Sequence, residues 1–584
     1  MLLVPGDPGR FRWGRFFSRA KVWLRWVVVA TARTPLKHFY GWVYWAHVRG
    51  AVRVAKGFAG TACVYSTRSV GKGDIAFGVS DVDMVVIGDW PEEEQIRLMR
   101  RLGTLAALSP LYDSGLWQQV HNRASFRNLW ETDYFFQSRF DEGLRQWKLE
   151  YGTDVAASLP AVPDERRGGC YYMEVRSWWL HFIASAFGEG PTAQDPIFRN
   201  SIAYKSVTEI LEIEHLLDGG SPAASRRDAL RGYISRSSGR DRDFLESAKG
   251  ADARRQGRGE RVEAFGGALD TEPVLPDFLE RLEDSARKNH LSFCGDVQAE
   301  SLRLLLPALD QIHAKLINLP GFQSVGEFTV DADPAEVLRA PESIAYARRL
   351  IQGHAAHWPA YRAAYLAPSA NCFAMDNLLL LIELNPAADL PSFLELRELC
   401  ALHFRSRPAA PQPIALYLLL SSGAVQLEFV NFTEMWRVLL FPPSSPDVFT
   451  LIKRPEFVID GVPCQSNTTP VWSQFAYDVA LEELNVRRSV LSKVTPDVFP
   501  SPIEILRNVW RHLQLEALLR TADRGSALLP LSPASVRRQL SALGLSDDRL
   551  LVALEEAYRS ELQAQPSNVR ALIPEIINYL KSLG

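Results

Sequence analysis

The chain has 584 residues, of which 47% are hydrophobic, 10% aromatic and 23% charged, with a formal net charge of -3. At ~100–200 residues per domain this length corresponds to roughly three or more structural units, and the apolar content excludes global disorder. A net charge so close to zero excludes a dedicated polyanion binder, although the average hides a local asymmetry.

That asymmetry lies at the N-terminus. Residues 1–60 carry eleven Lys or Arg against one acid, Asp7, interleaved with aromatic side chains. The best apolar stretch, Val22 to Ala32, is shorter than the ~20 residues of a membrane span and contains Arg25. Basic residues continue through and beyond it, unlike the short basic start of a signal peptide. The spacing predicts one or two amphipathic helices over 13–56, within an N-terminal segment 1–58, whose aromatic face packs on the rest of the protein; a membrane or a nucleic acid is the alternative partner. Six widely spaced cysteines with no C-x-x-C pair argue against a zinc site or a disulfide framework and suit a reducing, cytoplasmic compartment.

Thr61–Ser66 is a short β-prone run. It is followed by a turn with Gly71, Gly73 and Gly78, then by Ser80–Ile87, an alternating to continuous apolar strand, so the pair reads as a hairpin. Pro91 opens a helix with acids in its first turn and Leu98, Leu102, Leu105 and Leu108 at helical spacing. Residues 128–217 alternate aromatic and charged positions at a helical period. This gives a core over 59–150 and a helical cap over 151–218. Residues 219–275 shift to Gly, Ser, Ala and Arg and read as a flexible polar and basic connection. Residues 276–584 read as mainly helical, interrupted by β-like runs at Ile414–Leu420 and Val425–Val430. The expected class is α+β, a mixed sheet core with a helical cap and a large helical C-terminal region.

The chemistry concentrates between Ser66 and Ile87. Asp81 and Asp83, one residue apart on a strand, project from the same face ~7 Å apart. Such a pair suits Mg²⁺, which takes one or two carboxylates together with water and substrate phosphates. The small-residue turn before it offers backbone N–H groups to a polyphosphate. A P-loop is excluded, because Ser66 stands where its first glycine belongs and no Ser or Thr follows Lys72. No G-x-S-x-G elbow or dinucleotide fingerprint is present.

These residues resemble the DNA polymerase beta-type nucleotidyltransferase superfamily. Its signature is Gly-Ser, three residues, Gly-Thr, five residues, then Ser-Asp-x-Asp. Here the frame is Arg68-Ser69, three residues, Gly73-Asp74, five residues, Ser80-Asp81-Val82-Asp83. Arg68 stands in place of the first glycine and Asp74 in place of the threonine. The resemblance covers roughly 59–217 and implies a nucleotidyltransferase-type mixed sheet core. It also implies that Arg68, Ser69, Gly73 and Ser80 contact a nucleoside triphosphate such as ATP, and that Asp81 and Asp83 bind one or two Mg²⁺ ions. A third carboxylate on a later strand would complete the site, and Asp113, Glu131, Asp133 or none is that group. A helix carrying Arg199 and Lys205 resembles one in large bacterial nucleotidyltransferase-domain proteins, which implies that both neutralise the triphosphate. The implied reaction moves a nucleoside monophosphate to a hydroxyl of an acceptor, with a small molecule or glycan favoured and nucleic acid left open. The alternative is a nucleotide-binding sensor or scaffold that keeps the fold without turnover.

Overall fold

A computed structural model describes residues 23–107, 119–137, 147–187, 196–220, 301–331, 341–355, 361–368, 378–384, 414–420, 426–429, 457–462, 471–492 and 502–583, apart from scattered positions within these ranges. Gly73, Asp74, Asp113 and the 221–275 connection lie outside the described residues, as do the side chains of Arg68 and Arg199. The chain divides into two compact units. The first comprises Met1–Pro163, Met173–Trp178 and Gln194–Leu304, and the second Asp164–Tyr172, Trp179–Ala193 and Leu305–Gly584. Both helices and mixed sheets are present, in keeping with an α+β class.

In the first unit, helix α1 (residues 23–31) and helix α2 (Lys37–Lys56) precede strand β1 (Thr61–Ser66), the short helix α3 (Arg68–Lys72) and strand β2 (Met84–Gly88). Helix α4 (Glu92–Ala107), strand β3 (Gln119–Asn122), helix α5 (Arg123–Thr132) and strand β4 (Lys148–Gly152) follow. The four strands form one sheet in the order β3-β2-β1-β4. β1 is antiparallel to both β2 and β4, and β2 is parallel to β3. The antiparallel step from β1 to β2 needs only the α3 turn, whereas the parallel step from β2 to β3 is bridged by α4.

One face of this sheet is covered by α2 and α4. Tyr44, Val48, Ala51 and Ala55 from α2 and Leu98 and Leu102 from α4 meet Val64, Val82, Met84 and Val86 in a single buried cluster. Each large apolar side chain fully removed from water there contributes roughly 1.5–3 kcal/mol. α4 starts well because Glu92, Glu93 and Glu94 occupy its first turn, where carboxylates complement the helix dipole. Helix α6 (Asp164–Phe187) contributes Met173–Trp178 to this unit, and helix α7 (Pro196–Leu217) joins it through Ser206, whose Oγ donates to the Trp178 carbonyl at 3.0 Å.

Residues 148–152 are strand, not part of a helical run. The stretch Lys-Leu-Glu-Tyr-Gly is too short to display a period, and its pairing with β1 across more than eighty residues decides its conformation. Gly152 closes the strand at φ +87°, where an added Cβ would stand 1.8 Å from the Ala62 carbonyl oxygen. Only glycine accommodates both the backbone angle and that approach.

The second unit holds eight strands among its described residues, more than the helical reading of 276–584 anticipates. Strand β5 (Ser324–Asp331) lies between β11 (Val471–Ser473) and β12 (Ser526–Pro530). A five-stranded sheet runs β10 (Val458–Gly461), β6 (Tyr361–Pro368), β7 (Leu378–Leu384), β8 (Ile414–Leu420) and β9 (Gln426–Phe429). The β-like runs at 414–420 and 425–430 are β8 and β9. β7, read Leu-Leu-Leu-Leu-Ile-Glu-Leu, has paired neighbours on both sides, and such an interior strand gives an unbroken apolar run that periodicity cannot separate from helix. Helix α8 (Pro341–Leu350) precedes this sheet. Helices α9 (Gln474–Ser492), α10 (Pro502–Ala522), α11 (Pro533–Ala542), α12 (Asp548–Leu562) and α13 (Val569–Leu583) close the unit around Val509, Trp510, Leu513, Leu540, Leu554 and Ile576. No helix among the described residues is long and apolar enough to cross a membrane.

Candidate functional site

β1 and β2 bring the motif residues together. The Thr67 N–H donates to the Asp83 carbonyl at 3.0 Å, which extends the β1–β2 ladder one step beyond Ser66 and Met84. Asp81 and Asp83 therefore sit on the extended segment that leads into β2, not on the strand itself, which begins at Met84. Val82 and Met84 are buried in the α2–α4 cluster. Side chains alternate along extended backbone, so Asp81 and Asp83 belong to the opposite face, away from those helices.

The turn is held from behind by side chains that the motif does not include. Tyr44 on α2 donates its hydroxyl to the Ser80 carbonyl at 2.7 Å and accepts from the Gly78 N–H at 3.3 Å. Buried Arg25 on α1 donates to the Gly78 carbonyl at 2.6 Å. Their role escapes sequence reading because the contacts span 34 to 53 residues and involve backbone atoms of the loop. Ser69, at the second position of α3, and Ser80 are both buried.

On the exposed side, α7 presents Lys205. Its Nζ lies 3.9 Å from Asp81 Oδ1, with the lysine mostly covered and the aspartate side chain 40% exposed. Arg199 lies on the same helix. Lys205, expected to neutralise a triphosphate, thus stands beside a carboxylate of the motif.

A further carboxylate lies on the face of the sheet that meets α2, where Lys148 Nζ stands 4.5 Å over the Trp45 ring. Glu150 on β4 accepts from Ser66 Oγ at 2.8 Å, and its Oε1 is 3.2 Å from Lys148 Nζ. Ser66 is the last residue of β1 and stands opposite Met84 on one side and Lys148 on the other. A bulge between Val64 and Tyr65 makes Glu150 the extra residue on β4, and bulges re-aim side chains. The described members of the sequence-derived set are engaged elsewhere. Glu131 is engaged with Arg127 at 2.9 Å across one exposed turn of α5. Asp133 caps the end of α5 and accepts from the Phe136 N–H at 2.7 Å.

Tyr65, beside Ser66, donates to Asp154 Oδ1 at 2.8 Å and accepts from the Ala156 N–H at 3.0 Å. Burial, reinforced by the Asp154 carboxylate, raises its phenol far above the ordinary value, so it stays protonated and structural. Burial likewise raises the Cys63 thiol and lowers His121 on β3 to about 4, leaving both neutral near pH 7. None of the three is poised as a proton carrier.

Among the described residues no group of three or more His, Cys, Asp or Glu forms a ready-made metal cage. Two acids on one extended segment are nevertheless the donor set that suits Mg²⁺, whose remaining positions are taken by water and substrate phosphates. The chain matches no family model, no curated protein and no solved structure.

Proposed function

We propose that the first unit is a metal-dependent nucleotidyltransferase site, transferring a nucleoside monophosphate from a nucleoside triphosphate to an acceptor hydroxyl, with a small molecule or glycan as the favoured acceptor. The observation that carries this reading is the shared location of the motif residues. The α3 turn with Ser69 and the Asp81–Asp83 segment are joined at the Thr67–Asp83 hydrogen bond, and Lys205 reaches Asp81 from α7. The resemblance of the Ser69 to Asp83 frame to the DNA polymerase beta-type superfamily is what singles out these residues and gives them their roles.

In this reading Asp81 and Asp83 hold Mg²⁺, which when bound neutralises triphosphate charge and polarises the α-phosphate. Ser69 and the backbone of the α3 turn bind the terminal phosphates, and the Tyr44 and Arg25 contacts hold Gly78 and Ser80, just before Asp81, in place before substrate arrives. Lys205 offers positive charge where negative charge accumulates on the departing pyrophosphate. Glu150 is not assigned to this site, because its partner Ser66 stands opposite Met84 on the α2–α4 face, away from Asp81 and Asp83, and the proton of the attacking hydroxyl passes to water. The acceptor oxygen forms its bond to the α-phosphorus as the bond to the bridging oxygen breaks, and pyrophosphate leaves.

The test is pyrophosphate release from each of the four common nucleoside triphosphates with Mg²⁺, comparing the native chain with Asp81→Asn/Asp83→Asn, alongside a direct nucleotide-binding titration. Release abolished in the double variant supports the reading. Nucleotide binding without release in the native chain would favour the sensor alternative, and unchanged release in the variant would overturn the site.

A further inference from the structure

The N-terminal helices leave an apolar surface that the core does not use. Tyr40, Tyr44, Val48, Ala51 and Ala55 of α2 face the sheet. On the other side Phe39 is 54% and Trp42 63% exposed, and their rings stack at 6.2 Å. Leu36 at the corner before α2 is 48% exposed, and on α1 Trp23 and Trp26 are 64% and 44% exposed. Tryptophan and phenylalanine are ordinarily half-buried or more, so this concentration within twenty residues marks an interaction surface.

The charge around it is of one sign. Continuing from Phe39 and Trp42 along the same helical stripe come Ala46, Arg49 and Arg53, all exposed, and exposed Lys37 and His38 flank the aromatic end. No Asp or Glu occurs between Asp7 and Asp74. Aromatic side chains with a polar edge, aliphatic leucines and a cationic stripe on helices too polar to cross a bilayer are the combination that binds in the plane of an anionic membrane surface. Leu24 and Leu36 distinguish this from a nucleic-acid surface, because aliphatic side chains offer nothing to stack on a base, whereas they fill space between acyl chains.

We propose that Trp23, Trp26, Leu36, Phe39 and Trp42, with Lys37, Arg49 and Arg53, form a docking surface for an anionic lipid bilayer. The aromatic groups insert at the headgroup boundary and the basic stripe lies against the lipid charge. The surface is built from the side of α1 and α2 opposite to their core contacts, so occupying it leaves Tyr44 and Arg25 on the loop that carries the carboxylates.

The experiment is flotation of the full chain with vesicles of phosphatidylcholine alone and of phosphatidylcholine with 30% phosphatidylglycerol, at low and at physiological salt. Binding is expected to the anionic vesicles, weakened by salt, and reduced roughly tenfold in Phe39→Ser/Trp42→Ser and separately in Arg49→Glu/Arg53→Glu. The first pair reports the apolar part and the second the electrostatic part, and all four positions are exposed, so circular dichroism should show both variants folded. Failure to float with anionic vesicles, or flotation indifferent to both variants, overturns the proposal. Retention by single-stranded RNA, or self-association, lost in the same variants without lipid binding would also overturn it, by assigning the surface to another partner.

Discussion

Lys205 Nζ stands 3.9 Å from Asp81 Oδ1, across a contact that joins α7 to the segment leading into β2. The two residues are 124 positions apart, and the pair is the point at which the helical part of the first unit meets the carboxylates. With the aspartate side chain 40% exposed, the pair contributes at most about 1 kcal/mol to stability. Its significance is placement of a cation beside an anion that is itself assigned to a metal.

A Lys205→Met variant should therefore fold normally and lose function. Turnover of nucleoside triphosphate is expected to fall by roughly 10²–10³, the loss typical of one preorganised charge, with the thermal midpoint nearly unchanged. Lys205→Arg should recover part of it. Steady-state kinetics beside a melting curve decide the matter, and equal activity in native and Met forms would remove Lys205 from the site.

Glu150 gives the complementary test, because it belongs to the face turned away from the carboxylates. Glu150→Gln keeps an acceptor for Ser66 Oγ but loses the charge beside Lys148, so stability should fall by about 1 kcal/mol while turnover stays within about twofold of the native rate. Kinetics beside a melting curve check this. A rate lowered by roughly 10²–10⁴ at unchanged stability would instead place the base at Glu150.

The motif was legible because its residues are local: Ser69 and Asp83 both belong to the connection between β1 and β2. β1 is found at the expected Thr61–Ser66, and α4 at Glu92–Ala107 against the expected 91–108. Glu150 was not legible. Its strand has five residues, its partner β1 lies more than eighty residues earlier, and a bulge breaks the alternation that would have shown which face it takes. The aromatic residues of α2 were half legible, since a period near 3.6 identifies the helix, but with aromatics on both faces it cannot say which side meets the sheet. Tyr44 proves to be buried and Trp42 exposed. In the second unit β8 and β9 were legible as β-like runs, whereas β7 was not, a paired interior strand whose sequence carries no period.

Gly152 tests whether β4 must remain paired for the site to exist. Alanine there meets the Ala62 carbonyl and a φ of +87°, and the backbone has to shift. The expected cost is roughly 1–3 kcal/mol, with lost protection of the β1 and β4 amides in hydrogen exchange and lost activity together. Exchange and activity both unchanged would show that β4 tolerates displacement and that the site on the β1–β2 connection does not depend on it.

His512 carries a prediction about pH in the second unit. It is fully buried on α10, neither ring nitrogen has a hydrogen-bond partner, and burial, assisted by the charges of Arg488 and Arg487, lowers its pKa to about 3. An unfolded histidine takes up its proton near pH 6.5, so between about 6.5 and 3 the unfolded chain binds more protons than the folded one. Stability contributed by this group is therefore complete above pH 6.5 and falls on acidification, by at most about 1.4 kcal/mol per pH unit. His512→Leu fills the same space without a titratable group. Between pH 7.5 and 5.0 the native chain should lose about 2 kcal/mol more protection of the α10 amides than this variant does, read by hydrogen exchange of peptides within 502–522 after correction for the intrinsic pH dependence. Parallel slopes in the two proteins would mean that His512 finds a proton acceptor in the folded state.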